Sequence, residues 1–416
     1  MNQLAMLVAI VLSLNGCAGM RTLQRNLDVA HEQTSVAGNA AIRGGASEPI
    51  VVVVERVDTG RIADLFVLAR PGPFYFTLPA GRYRLAAFED RSRDLTYQPG
   101  KPAVLFGTSG EIVLDAGEHR GDIDLTIDPD AGVLIPFAVN AVSADKTIEK
   151  IPSLQTGTIV TLDDPRFAPE FGSLGVWDPL RFMFEVGGGV YFLEEYDPTK
   201  TPVLFVHGAT GSPMDWKYLV GKLDRSRFQP WFAYYPASPH LDRIGDQIVR
   251  ALSNLQTKYE FENLVLVAHS MGGLVTRAAL DYVVANTGTG RIVNVPLFVS
   301  ISSPWGGMAS ASLGVEYAPV VAPMWEDMAP GSAFLTALPK TPLPAECEHN
   351  LFFGYRSEAR RSREANDGTV TVASQLSMPI QRQATRVTGF DETHTGILTS
   401  EEVSEQLNAL LARVAR

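Results

Sequence analysis

Short apolar runs recur along the second half of the chain. They are PVLFV (202–206), WFAYY (231–235), LVLVA (264–268), LFVSI (297–301), LFF (351–353) and RVTG (386–389). The first shows no alternation of apolar and polar positions, which is how a strand buried on both faces reads. Helical candidates such as 242–259 and 272–284 lie between the runs. Strands alternating with helices predict a mostly parallel sheet covered on both faces. This α/β region is set at residues 195–416.

Residues 48–130 have another rhythm. PIVVVV (49–54), FYFTL (74–78), YRLAAF (83–88), AVLF (103–106), EIVL (111–114) and IDLTI (123–127) are brief β-rich runs separated by turn signals such as Pro79-Ala80-Gly81. That spacing predicts a small all-β sandwich. Residues 131–194 read as a connector rich in Pro and Gly, packed onto the next domain by Trp177, Phe182, Phe184, Tyr191 and Phe192. Its Gly187-Gly188-Gly189 lacks a following Lys-Ser/Thr, which excludes a phosphate loop and leaves a hinge or tight turn. Residues 17–47 are small and polar, with glycines at 38, 44 and 45, and read as a tether.

The run 264–268 leads into His269-Ser270-Met271-Gly272-Gly273, where a helical pattern begins. This is the nucleophile-elbow pattern G-x-S-x-G, with Ala268 in the first glycine position. A serine on a sharp strand-to-helix turn projects its hydroxyl above the sheet. Its flanking residues must be small, because strand and helix pass close together there. The helix amino terminus behind it also offers free N–H groups to a developing anion. A merely structural serine would not need this whole context of strand, helix and extra glycine.

FVHGATGSP (205–213), AHSMGGLV (268–275), ISSPWGG (301–307) and DMAPGSAFLTAL (327–338) follow one another in that order. On these motifs residues 195–416 resemble the α/β-hydrolase superfamily, in particular its lipase and esterase branch. The resemblance implies an α/β-hydrolase fold and a triad in the order serine, acid, histidine. Of the seven histidines only His349 and His394 follow Ser270, and His349 comes too early to leave room for an acid loop. His394, in a loop after the last strand-like run, is the implied base. Asp367, in the turn Asn366-Asp367-Gly368, is the implied acid, ahead of Asp327 and of Asp391 only three residues before His394. The backbone N–H groups of Ala209 and Met271 are the implied oxyanion hole. His207 and His269 are left as loop-shaping residues.

The implied chemistry is hydrolysis of carboxylic esters, of lipids or other acyl compounds, through an acyl-serine intermediate. It calls for no metal and no organic cofactor. Phospholipase or acyl-inositol deacylase activity would carry nearly the same motifs. A non-catalytic cell-surface binding protein on a hydrolase scaffold is the reading from another class, and the complete Ser270, Asp367 and His394 set speaks against it. Residues 306–345, with Met308, Tyr317, Met324, Trp325, Met328 and Phe334, are positioned to form a cap, either a lid for acyl chains or a fixed excursion. Arg356, Arg360, Arg361 and Arg363 would meet lipid phosphates or line a solvated loop. In the β-rich region, FTLPAGRYRLAAFED (76–90) resembles transthyretin-like and carboxypeptidase-regulatory-like accessory modules; with no catalytic cluster in it, the region reads as a spacer or packing module ahead of a ligand-binding one.

Composition narrows the rest. The chain has 416 residues, 45% hydrophobic and 19% charged, an ordinary globular balance. A net charge of −11 argues against a general nucleic-acid binder. Two cysteines are too few for a disulfide framework or a thiolate zinc site. Residues 4–14 form an apolar run of 11, too short to span a bilayer but suited to a secretory signal in residues 1–16. Leu14-Asn15-Gly16-Cys17 resembles a bacterial lipobox, which implies lipid attachment at Cys17. Ala18 then implies outer-membrane sorting within the cell envelope. Cys347 is left as an inert thiol. Cys17→Ser is expected to move the protein from the membrane pellet to the soluble fraction, as read by fractionation and immunoblot. Unchanged retention would overturn the anchor.

Overall fold

The computed structural model describes residues 15–46, 48–68, 70–139, 156–285, 293–357 and 364–414. The signal run 1–14 lies outside the described residues. The chain opens with helix α1 (Asn15–His31). Eight strands follow: β1 (Thr34–Ile42), β2 (Ile50–Arg56), β3 (Arg61–Leu68), β4 (Gly72–Leu78), β5 (Gly81–Glu89), β6 (Ala103–Leu105), β7 (Glu111–Leu114) and β8 (His119–Ile127). They form one sheet of order β4-β1-β8 and a second of order β3-β2-β5-β6, with β7 also paired to β5. The inner faces share a core that includes Val36, Phe76, Leu125, Val52 and Leu85. The unbroken branched run of β2 has a reason: Ile50, Val52 and Val54 face this core, while Val51 and Val53 face a second cluster with Phe88, Tyr97 and Ile135.

The tether assigned to residues 17–47 is corrected by this arrangement. Strand β1 lies in the middle of the three-stranded sheet, antiparallel to β4 and parallel to β8. Its alternate residues Val36, Ala40 and Ile42 are buried. Gly38 is there because β8 passes so closely that a Cβ would meet the Ile123 carbonyl oxygen. Small residues in a crowded strand therefore imitate a linker. Helix α1 is docked as well. Leu23 is fully buried in the core of the second domain. The Asn26 side chain accepts from the Leu180 N–H at 2.8 Å and donates to Asp178 at 3.1 Å.

The second domain comprises α2 (Pro169–Trp177), α3 (Pro179–Glu185), β9 (Gly189–Phe192), β10 (Thr201–Val206), β11 (Phe228–Tyr234), α4 (Leu241–Tyr259), β12 (Asn263–His269), α5 (Met271–Ala285), β13 (Asn294–Ile301), α6 (Ala309–Tyr317), α7 (Pro323–Met328), β14 (Glu348–Tyr355), β15 (Arg386–Asp391) and α8 (Glu401–Leu411). Its seven strands run in the order β15-β14-β13-β12-β10-β11-β9. All neighbours are parallel except the edge strand β9. The sheet thus begins at Gly189, inside the stretch assigned to the connector. Of the connector aromatics, Phe182, Tyr191 and Phe192 are buried, whereas Phe184 points out at 66% exposure. One face of the sheet is covered by α4 and α5 through Ile244, Leu252, Leu274 and Val275. The other is covered by α8 through Val403, Leu407 and Leu411. The crossover between β10 and β12 creates a switch point, and in open α/β sheets ligands bind outside the strand carboxyl ends there.

The two domains meet along α4. Arg250 pairs with Asp64 of β3 at 3.1 Å and lies over the rings of Phe66 and Tyr75 at 4.6 and 5.0 Å. The Ser253 hydroxyl donates to the Val67 carbonyl at 3.0 Å. One turn before Arg250, Asp246 is buried and its Oδ2 has no hydrogen-bond partner among the described residues. Burial pushes its carboxyl up to about 7 from the ordinary 3.8, against the pull of Arg250. An acid raised on folding destabilises the folded state progressively as pH climbs between those two values, and fully above the upper one. Asp246→Asn is therefore expected to raise the thermal midpoint by several degrees at pH 8 and by less at pH 5. A lowered midpoint at pH 8 would contradict the burial argument.

Candidate active site

Strand β12 delivers Ser270 to the sheet edge in a strained conformation. Its φ is +55°, in the left-handed region, which a side chain resists by roughly 1–2 kcal/mol. The surroundings enforce it. The Ser270 N–H donates to the Ile301 carbonyl at 2.8 Å. Cβ atoms at Gly272 or Gly273 would lie 2.4 Å from the Val206 carbonyl oxygen or 2.0 Å from the Ser303 hydroxyl. Gly208 is held to glycine by Ser270 itself, whose Cβ would be 3.0 Å away. Residues 207–209 therefore pass directly beside the serine. Met271 is the first residue of α5, so its N–H is one of the helix donors with no intrahelical acceptor.

Three residues far apart in sequence converge. The Ser270 hydroxyl lies 3.0 Å from His394 Nε2, and His394 Nδ1 lies 2.7 Å from Asp367 Oδ2. All three are buried. The His394 backbone N–H also donates to the Asp367 carbonyl at 2.9 Å. Asp367 Oδ1 accepts from the N–H groups of Thr369 and Val370 at 2.9 and 2.7 Å, in a turn completed by Gly368 at φ +102°. Burial raises the Asp367 carboxyl, but the His394 hydrogen bond and charge and the two N–H groups outweigh it and hold it below the ordinary range. The acid is therefore ionised and positioned to orient an imidazole whose other nitrogen faces the serine.

Two supporting side chains complete the geometry. Gln375 has no sequence signal of its own. Its amide donates to Asp367 Oδ2 at 3.3 Å and to the Gly354 carbonyl at 3.0 Å, and it accepts from the Gly354 N–H at 2.9 Å. It ties the acid loop to β14. His269 donates from Nε2 to the His394 carbonyl at 2.8 Å, with the two rings 4.7 Å apart. His207 turns away from the serine. Its Nδ1 donates to the Gly208 carbonyl at 2.6 Å, and its ring stacks on Tyr235 at 4.1 Å. The rivals are otherwise engaged. His349 meets Ser300 at 2.9 Å, Asp327 accepts from the Leu241 N–H at 2.7 Å and pairs with His240, and Asp391 binds Ser357.

The cap residues 306–345 sit on the body through buried Met324, Met328, Leu335 and Leu338. A groove of about 490 Å³ runs between the cap and α4, lined by His240, Arg243, Ala278, Phe334 and Leu338, apart from the Ser270 group. Of the arginine cluster, Arg356 reaches Asn366, and Arg360, Arg361 and Arg363 lie outside the described residues. Cys347 is buried and unpaired by disulfide. Cys17 lies in the first turn of α1, and its side chain is outside the described atoms. Among the described residues no group of three or more His, Cys, Asp or Glu could hold a metal ion. No helix among them is long and apolar enough to cross a membrane.

Residues 203–394 match the alpha/beta hydrolase family, and the second domain has the alpha/beta hydrolase fold. A mature Bacillus licheniformis lipase is similar at 17% identity, over 53% of this chain and 95% of that one, with a TM-score of 0.41. Aspergillus fumigatus lipase B is similar at 17% identity over 57% of each chain, with a TM-score of 0.43. A Legionella pneumophila phospholipase is similar at 17% identity, over 42% of this chain and 45% of that one, with a TM-score of 0.35. Comparison with curated proteins finds no match.

Burial pushes His207 down to about 4. It pushes His269 and His349 down to about 3, with the neighbouring His394 and Arg277 charges adding to the effect. Imidazole nitrogen shifts, assigned with single His→Gln variants, are expected to show all three rings neutral from pH 8 to pH 5. A cationic ring above pH 5 would contradict their placement.

Proposed function

We propose that the protein is a serine ester hydrolase of the lipase and esterase type, with Ser270, His394 and Asp367 as its triad. The observation that carries this reading is the continuous line from the Ser270 hydroxyl through the His394 ring to the ionised Asp367. His394 Nε2 takes the Ser270 proton as Oγ attacks the acyl carbonyl carbon. Asp367 keeps Nδ1 protonated and stabilises the imidazolium that forms. The N–H groups of Ala209 and Met271 receive the oxyanion, each such donor being worth roughly 3–4 kcal/mol in the transition state. Collapse breaks the ester bond, and the leaving alcohol takes the proton from His394. Water then gives a proton to His394 and attacks the acyl-serine. The second collapse releases the carboxylic acid and returns the proton to Ser270.

The substrate is an acyl ester of a lipid. The apolar composition of the cap supports this choice, and the lipobox-like Cys17 supports attachment to the bacterial envelope, where such substrates lie. A phospholipid headgroup is the main variant of the same reading. A fluorophosphonate probe is expected to label the wild type and leave Ser270→Ala unlabelled. Asp367→Asn is expected to lower kcat by about 10³–10⁴-fold, as loss of a triad acid does. Rates on p-nitrophenyl esters, triglycerides and phospholipids would then fix chain length and headgroup. Equal labelling of Ser270→Ala would remove the nucleophile assignment.

A further inference from the structure

Residues 309–325 carry a single charged side chain, Glu316, yet much of the segment faces water. Val315 and Tyr317 are 37% and 68% exposed. Pro319 is exposed too, and Leu313 and Val320 are half-buried beside it. The neighbouring Glu316 carboxylate raises the Tyr317 hydroxyl, which stays protonated. Soluble monomers seldom leave a continuous apolar strip uncovered unless something binds it.

The place of this strip in the molecule says what covers it. Gly314 lies so close to the Trp325 indole that a Cβ would be 2.9 Å from the ring. Trp325 meets Trp177 edge-on with ring centres 6.0 Å apart. Trp177 packs in turn on Gly19, within 3.5 Å of where a Cβ would stand. Two tryptophans thus join α6 to the second turn of α1, two residues after Cys17. Arg21 and Arg25 are exposed one turn apart on α1.

We propose that the strip 313–321 and residues 19–25 of α1 form one docking face for an anionic lipid bilayer. Val315 and Tyr317 enter the headgroup layer, a position that suits aliphatic and amphipathic aromatic side chains. Arg21 and Arg25 meet the lipid phosphates. This rests on the reading of the protein as an envelope ester hydrolase, and it turns the cap towards the layer that holds the substrate.

The test uses the full chain with Tyr317→Cys carrying an environment-sensitive maleimide dye, with the unsubstituted protein as background. Cys347 does not compete, being buried with its thiol pushed up to about 12. Vesicles of phosphatidylethanolamine and phosphatidylglycerol are expected to shift the emission to the blue, and nitroxide-bearing lipid to quench it. The same dye at Asp130→Cys in the β-domain is expected to do neither. Equal behaviour at both sites would overturn the proposal. So would a blue shift without vesicles that follows protein concentration, which would assign the face to a second copy of the chain. The double variant Val315→Asp, Tyr317→Asp is expected to lose at least fivefold in turnover of vesicle-borne esters while keeping turnover of a soluble short-chain ester. Fluorophosphonate labelling of Ser270 in each sample separates failure of this face from failure of the hydrolase assignment.

Discussion

A serine at φ +55° does not stay there by its own preference. It is kept there by crowding from two sides, and the site depends on that crowding. Strand β10 passes so close behind α5 that only glycine fits at 272, and the loop after β10 passes so close in front that a Cβ at 208 would press on the Ser270 side chain at 3.0 Å. The same approach sets residue 209 and the first N–H of α5 beside the hydroxyl. The backbone strain of roughly 1–2 kcal/mol is offset by the packing of buried strands on either side, notably Val206 and Ala268, which are paired across the sheet. A larger residue at any of these positions would have to separate strand from helix before it could be accommodated.

The elbow was legible in the sequence because such crowding leaves small residues at fixed intervals. The parallel sheet was legible for a related reason: strands buried on both faces have no room for polar alternation, so their runs stand out. Helices 242–259 and 272–284 were read to within two residues of α4 and α5 at either end. The histidine and acid came from chain order, and the structure brings those residues together. Gln375 could not be read, because a buried amide that braces a carboxylate has no local pattern; its partners at Gly354 and Asp367 are set by the fold alone.

The N-terminal third misled in an instructive way. Composition alone made residues 17–47 a tether, since small polar residues are what linkers use. The alternation of Val36, Ala40 and Ile42 carried the opposite message, and Gly38 obscured it. That glycine is demanded by the approach of β8, so the residue that looks most like flexibility marks the tightest contact in the strand. The connector's glycines are the tight turn their sequence suggests, but the sheet begins at that turn, before residue 194. Gly187 and Gly189, both at positive φ, form the turn into an edge strand.

Helix α4 has one further consequence. Its first N–H is held by Asp327 of the cap, and its third and fourth turns are held by the β-domain through Arg250 and Ser253. At 19 residues it is a rod of about 28 Å. The sandwich and the cap share no strand, yet they grip the same rod at different points. One helix is therefore a shared support: the cap is fastened at its start and the β-domain along its middle.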